Sequence, residues 1–181
     1  MRVIAGQAKS HPLRFPKGAK TRPTTDAMRE SLFSSLGSRV VDARFADLYA
    51  GCGSVGIEAL SRGAREGLFV DSDGRCTAVM ARNLADTGLK AGAKVVRGRV
   101  ERVWGALSAQ CGPFDIVFAD PPYGLASFGE FARRLALRWE GVALGGLVVL
   151  QCGAGYDGLG LGECTRVKQF GETVLLFFER P

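Results

Sequence analysis

The sequence predicts an α/β fold, a mostly parallel sheet with helices on both faces that closes in an antiparallel hairpin. Three observations carry this reading. Apolar runs of strand length alternate with helical segments from Ala43 onward. The first run ends in a glycine turn that opens a helix. Near the carboxyl end the rhythm changes, and "TRVKQF" faces "ETVLLFFER" across Gly171 as a hairpin.

At the amino end, "RVIAGQAKSHPLRF" reads as two short extended pieces around a polar turn, because His11 precedes Pro12 and is pushed out of the helical region. Thr24 or Thr25 then caps a helix with Asp26 in its first turn. Met28, Leu32, Phe33 and Leu36 fall on one face, and Gly37 stops it. Strands follow at "ARFADLYA", "EGLFVDSD", "AKVVRGR", "FDIVFADP" and "GGLVVLQC", with helices over 54–61, 74–87, 101–109 and 127–139. "GAGYDGLGLG" is too glycine-rich for a helix and reads as a loop before the closing hairpin. The expected division is a basic hairpin and helix over 1–40 and a seven-stranded domain over 41–181.

With 181 residues, 46% of them hydrophobic, the chain can bury one good core. The formal net charge of +6 points to an anionic partner. That charge is concentrated: residues 1–40 hold Arg2, Lys9, Arg14, Lys17, Lys20, Arg22, Arg29 and Arg39 against Asp26 and Glu30. The five cysteines are odd in number, widely spaced and without a C-x-x-C pair, which argues against a disulfide framework and a zinc site. No metal is expected. The start of the sequence has no apolar signal core, and no run approaches the length of a membrane span. A reducing, cytoplasmic setting is the expectation.

"DLYAGCGSVGIEAL" places Gly51, Gly53 and Gly56 in the spacing G-x-G-x-x-G, with Asp71 twenty positions after Gly51. A strand, this turn and a helix bring backbone N–H groups and a helix N-terminus to the carboxyl edge of the sheet. Asp71 is placed to accept from ribose hydroxyls, which NAD and S-adenosylmethionine share. Asp47, four residues before Gly51, stands where dinucleotide fingerprints carry an apolar residue. Its carboxylate would suit the ammonium of S-adenosylmethionine and is unexplained by NAD.

"FDIVFADPPYG" puts Asp120, Pro121, Pro122 and Tyr123 just past a buried strand. Two consecutive prolines remove two N–H donors, which leaves the Asp120 carboxylate and the Pro121 carbonyl as acceptors without competing donors. Such a pair fits an exocyclic –NH2. Gripping its hydrogens would free the nitrogen lone pair for attack on a methyl sulfonium, largely through positioning. Tyr123 offers a face on which an extruded base can stack.

With these motifs the chain resembles the class I S-adenosylmethionine-dependent methyltransferases, which share a Rossmann-like fold, and specifically the RsmD family, which methylates the N2 amine of a guanine in 16S small-subunit ribosomal RNA. "TRPTTDAMRESLFSSL", "DLYAGCGSVGIEALSRGA", "LFVDSD", "FDIVFADPPYG" and "GETVLLFFE" match the family's segments in order. The resemblance implies that Asp47, Tyr49, Gly51 and Gly53 surround the methionine part of the cofactor, Asp71 and Ser72 the ribose, and Arg99 and Val100 the adenine. Asp120 would border the cofactor and, with Pro121, Pro122 and Tyr123, receive the guanine. Lys9, Arg14, Lys17, Lys20, Arg22, Thr24 and Arg29 would contact RNA, mostly through phosphates. The chain departs from the family pattern at Asp71, often glutamate, and at Gly98-Arg99, often a small or acidic pair. S-adenosylhomocysteine would be the product, and the partner 16S rRNA within a 30S subunit or assembly intermediate, met by a monomer.

Three rivals share parts of this evidence. A DNA amino-methyltransferase acting on N6 of adenine or N4 of cytosine would use the same Asp-Pro-Pro-Tyr. A non-catalytic RNA-binding assembly factor could keep the fold for its surface. An NAD oxidoreductase accounts for the glycines and Asp71 and leaves Asp47 unexplained.

Overall fold

The structure, a computed structural model, describes residues 1–16, 25–122, 128–153 and 160–181. Its strands are β1 (Arg44–Leu48), β2 (Glu66–Asp71), β3 (Ala93–Arg97), β4 (Phe114–Ala119), β5 (Val142–Gly153), β6 (Arg166–Phe170) and β7 (Thr173–Glu179). They form one sheet in the order β3-β2-β1-β4-β5-β7-β6. β1 to β5 run parallel, and β7 is antiparallel to both neighbours. The chain builds outward from β1 to β3, then restarts on the other side at β4. The crevice between β1 and β4 is therefore the topological switch point, where open α/β sheets bind ligands.

Helices α1 (Asp26–Leu36), α2 (Ser54–Ser61) and α3 (Gly74–Asp86) share one apolar cluster with Phe45, Phe69, Ile116 and Phe118. Helices α4 (Val100–Cys111) and α5 (Phe128–Ala136) share the other with Ala46, Leu48, Leu68, Val70 and Val117. Alternate residues of each central strand feed opposite clusters, as a period of two requires. Asp47 therefore points to the α2 side. Trp104 is buried, as a core residue should be, and its Nε1–H donates to the Glu140 carbonyl at 3.1 Å.

The element boundaries follow local chemistry. Thr25, rather than Thr24, caps α1, its Oγ1 accepting from the Met28 N–H at 3.3 Å. The closing hairpin turns at Gly171, whose φ of +59° suits a two-residue loop between Phe170 and Thr173. β5 starts three residues before the expected Gly145, with a register shift against β4 between Phe114 and Ile116. α5 ends at Ala136, short of the expected 139, and its expected start at 127 lies outside the described residues.

The amino-terminal hairpin is short, with one antiparallel bridge, Arg2 with Pro12, and its turn residues bond elsewhere. The reason is competition for backbone donors. The N–H groups of Ile4 and Ala5 donate to Glu58 at 2.7 and 3.0 Å, Gln7 to the Ser61 carbonyl at 2.8 Å, and Ala8 to Ser61 Oγ at 3.0 Å. The flanking residues still pair within the segment, the Val3 N–H donating to the His11 carbonyl at 3.0 Å, Ser10 to the Val3 carbonyl at 2.9 Å and Leu13 to the Met1 carbonyl at 3.1 Å. Gly6 allows the approach to α2, because a Cβ there would lie 1.8 Å from the Ser61 carbonyl oxygen. All eight residues of α2 are consequently buried, and Val3, Ala8 and Leu13 enter the same core as the sheet.

Candidate active site

The glycine turn leaves β1 through Tyr49, whose φ of +60° is unusual for a bulky side chain, and continues through Gly51 at +57° and Gly53 at +80°. The three glycines do different work. A Cβ on Gly56 would lie 2.3 Å from the Phe69 ring, so this glycine sets the close packing of α2 on β2. A Cβ on Gly53 would meet Met80 Cγ at 2.8 Å. A Cβ on Gly51 would meet nothing within 4 Å, so here the bare backbone borders open space. That is the position a ligand can approach.

Two carboxylates hold the turn. Asp71 Oδ2 accepts from the Gly51 N–H and its Oδ1 from the Asp73 N–H, both at 2.8 Å. Asp47 Oδ2 accepts from the Gly56 N–H at 2.8 Å, capping the third residue of α2 from the neighbouring strand where Gly53 has no side chain to do so. Asp47 is 2% exposed. Burial pushes its carboxyl well above the usual range, and repulsion from Asp120 and Asp71 adds to this against the Gly56 hydrogen bond. Burial raises Asp71 as well, opposed by its backbone donors.

β4 ends one residue before Asp120, whose N–H donates to the Leu48 carbonyl at 3.3 Å across the switch point. Asp120 is half-buried, Pro121 buried and Pro122 exposed. Three carboxylates, Asp47, Asp71 and Asp120, thus converge beside the glycine turn. Among the described residues no lysine or arginine forms an ion pair with Asp47 or Asp71. Such an arrangement fits a ligand carrying positive charge, as the ammonium and sulfonium of S-adenosylmethionine do, with the open backbone at Gly51 for its approach.

The rest of the expected cofactor set stands in varied surroundings. Tyr49 turns its ring toward Phe128 and Phe131, and its hydroxyl donates to Glu101 Oε1 at 2.9 Å. Burial and Glu101 raise that phenol, which stays protonated. Ser72 is exposed at the end of β2. Arg99 is exposed at the N-cap of α4, and the Val100 side chain is buried, so the Val100 N–H in the first helical turn is the group this pair can offer.

The basic residues separate. Lys9 and Arg14 are exposed, and Arg14 pairs with Asp86 at 3.0 Å. Lys17, Lys20, Arg22, Thr24 and Tyr123 lie outside the described residues. The expectation that Arg29 contacts RNA is corrected. Its side chain is 0% exposed, with Nη2 donating to the Arg2 carbonyl at 2.6 Å and to Asp26 at 2.8 Å, and Nη1 to the Ser54 carbonyl at 3.3 Å. Glu58, also fully buried, lies 3.6 Å from Arg29 and 2.7 Å from Arg62. A guanidinium enclosed in this way cannot reach a phosphate.

Two buried polar residues were missed in the sequence, although each leaves a signal there. Glu58 is the charged residue in the otherwise small and apolar "SVGIEALS". Asn83 lies on the apolar stripe of α3 with Cys76, Met80 and Leu84. A shallow cavity of about 270 Å³, lined by Asp42, Asp115 and Leu147 among others, lies at the opposite edge of the sheet. Two of its charged side chains are already engaged: Arg39 pairs with Glu179, and Asp115 accepts from the Arg44 N–H. It is no rival to the switch point.

Strand order, switch point and acidic glycine turn together define a class I S-adenosylmethionine-dependent methyltransferase fold. Comparison with known proteins narrows the class. A family model described as "Conserved hypothetical protein 95" matches residues 1–179. The protein named ribosomal RNA small subunit methyltransferase D of Escherichia coli K12 is 41% identical over 125 residues, 68% of this chain and 60% of its own length. Among solved structures, the yhhF protein of Escherichia coli has a TM-score of 0.82 at 31% identity, covering 99% of this chain and 97% of its own. A hypothetical protein of Thermus thermophilus has a TM-score of 0.81 at 34% identity, covering 99% of both chains. The chain belongs to the RsmD family of methyltransferases.

Proposed function

We propose that this protein transfers a methyl group from S-adenosylmethionine to the exocyclic N2 amine of a guanine in 16S ribosomal RNA. The observation that carries the reading is the meeting, at one switch point, of an acidic glycine turn with the acceptors of Asp120-Pro121-Pro122 in a chain of this family. The curated relative's name supplies the substrate class, small-subunit rRNA. The donor-free prolines supply the preference for an amine.

Bound at the turn, the cofactor contributes a methyl group already activated by its sulfonium. The chain's residues do the rest. Asp47 and Asp71 face the positive end and the ribose, and the Gly51 backbone gives close approach. The Asp120 carboxylate and the Pro121 carbonyl accept the two amine hydrogens, which draws the nitrogen toward pyramidal geometry and aims its lone pair in line with the methyl group. Asp120 then takes the proton that the nitrogen loses. No covalent enzyme intermediate is needed, so positioning is the principal contribution. Tyr123 stacks on the guanine, which must be unpaired for N2 to reach a recessed site.

The basic stretch of residues 1–40, through Lys9, Arg14, Lys17, Lys20 and Arg22, grips phosphates of a 30S particle or its assembly intermediate, with the protein acting as a monomer in the cytoplasm. The test compares labelled methyl incorporation into 30S particles, naked 16S rRNA and duplex DNA. Labelling of a single guanine N2 in 16S rRNA is expected. Labelling of DNA alone overturns the reading, and retention of RNA binding without any transfer by the wild type turns it into an assembly factor.

A further inference from the structure

Asn83 is 1% exposed, and its amide makes three hydrogen bonds. Oδ1 accepts from the Arg14 N–H at 2.9 Å, while Nδ2 donates to the Arg14 carbonyl and the Cys52 carbonyl, both at 3.0 Å. Cys52 sits between Gly51 and Gly53 in the turn that borders the cofactor position. Arg14 is the last basic residue before Lys17, Lys20 and Arg22 in the sequence. One buried side chain therefore holds both the backbone from which the basic stretch continues and the backbone of the glycine turn. The chemistry of the three partners demands an amide, since one N–H and two carbonyls call for one acceptor and two donors. Aspartate would set a carboxylate against two carbonyl oxygens, and leucine would deprive all three backbone groups of this partner, the Cys52 carbonyl in a buried setting.

We propose that Asn83 is a positioning residue that couples RNA engagement to cofactor occupancy. The inference rests on the functional reading above, because it takes the glycine turn as the cofactor's seat and the basic stretch as the RNA contact. A ligand that orders the Cys52 carbonyl also orders the amide hydrogen-bonded to it, and with it the Arg14 backbone. By linkage the effect is reciprocal, so RNA tightens cofactor binding by the same factor. The Arg14 side chain takes no part in the link, since both of its bonds to Asn83 are through backbone atoms.

The experiment is a thermodynamic cycle with S-adenosylhomocysteine and 16S rRNA as the two ligands, on wild type, Asn83→Ala, Asn83→Asp and Arg14→Ala. In the wild type, saturating S-adenosylhomocysteine should raise RNA affinity about fivefold or more, within the range usual for coupled sites. In both Asn83 variants the factor should fall toward one. Arg14→Ala should weaken RNA binding yet keep the wild-type factor. A factor that survives in the Asn83 variants, or is absent from the wild type, overturns the inference. Amide hydrogen exchange on the wild type gives a readout independent of variant folding: the Arg14 amide should slow when S-adenosylhomocysteine binds, and an unchanged rate counts against the link. The cycle needs no methyl transfer, so a wild type that couples the ligands but labels no guanine strikes the functional reading and leaves this one standing.

Discussion

Asp47 and Glu58 are both buried carboxylates, eleven residues apart, one on β1 and one on the helix that follows it. Their surroundings are opposite. Glu58 has Arg29 at 3.6 Å, Arg62 at 2.7 Å and the N–H groups of Ile4 and Ala5. Asp47 has one backbone donor and two acidic neighbours. The first is a charge satisfied within the fold, where it fastens the amino-terminal segment to α2. The second is a carboxyl whose ionised form the fold does not complement, which is what a site for a cationic ligand requires.

The comparison is sharpened most by Asp120, whose carboxylate repels that of Asp47. Asp120→Ala should lower methyl transfer by about 10²- to 10⁴-fold, the usual contribution of a positioned proton acceptor. Single-turnover labelling reads this, and a loss below tenfold would remove Asp120 from the proton path.

On the satisfied side, Glu58→Gln should act on stability. It removes one of the two carboxylates beside buried Arg29 and leaves Asp26, at a cost of about 1–3 kcal/mol, read as a fall in thermal midpoint of roughly 5 °C. Asp47→Asn should do the reverse. A carboxyl raised in the folded state contributes stability that is present below its unfolded pKa and lost as pH rises through the folded value. At neutral pH the asparagine variant of the apo protein should therefore melt no lower than wild type, while binding S-adenosylmethionine about tenfold more weakly. If both substitutions destabilise equally, the distinction between the two carboxylates fails.

The pH dependence follows from the same sign. A cationic ligand favours ionised Asp47, so binding should release a proton and cofactor affinity should rise with pH above the ordinary carboxylate range until Asp47 ionises unaided. Calorimetry in buffers of different ionisation enthalpy measures the proton, and Asp47→Asn should reduce that release, leaving the part that Asp71 contributes.

Gly56 and Gly51 divide in a parallel way. Gly56→Ala forces a Cβ against the Phe69 ring and should cost about 1–3 kcal/mol. Gly51→Ala meets open space and pays only for its positive φ, about 1 kcal/mol, but should weaken cofactor binding more than Gly56→Ala does. The smallest effect belongs to Arg14→Glu, which should weaken RNA binding and reduce its salt slope by about one, with cofactor affinity unchanged.

By itself the sequence determined the layered fold and the reaction class. Strand and helix periodicity are local properties, so the alternation from β1 to β5 and the hairpin at Gly171 were legible. The glycine spacing, Asp47 and Asp120-Pro121-Pro122 could be read for the same reason, since each motif carries its geometry in a few consecutive residues. The tertiary structure alone decided which charges remain available. Arg29 looked like one more cation of a basic stretch, and only its enclosure by Arg2, Asp26, Ser54 and Glu58 showed it to be structural. Asn83 looked like a polar interruption of an apolar stripe, and only the fold brought Arg14 and Cys52 to its amide, from 69 and 31 residues away. Burial and long-range pairing depend on which distant segments meet, and no local pattern encodes that meeting.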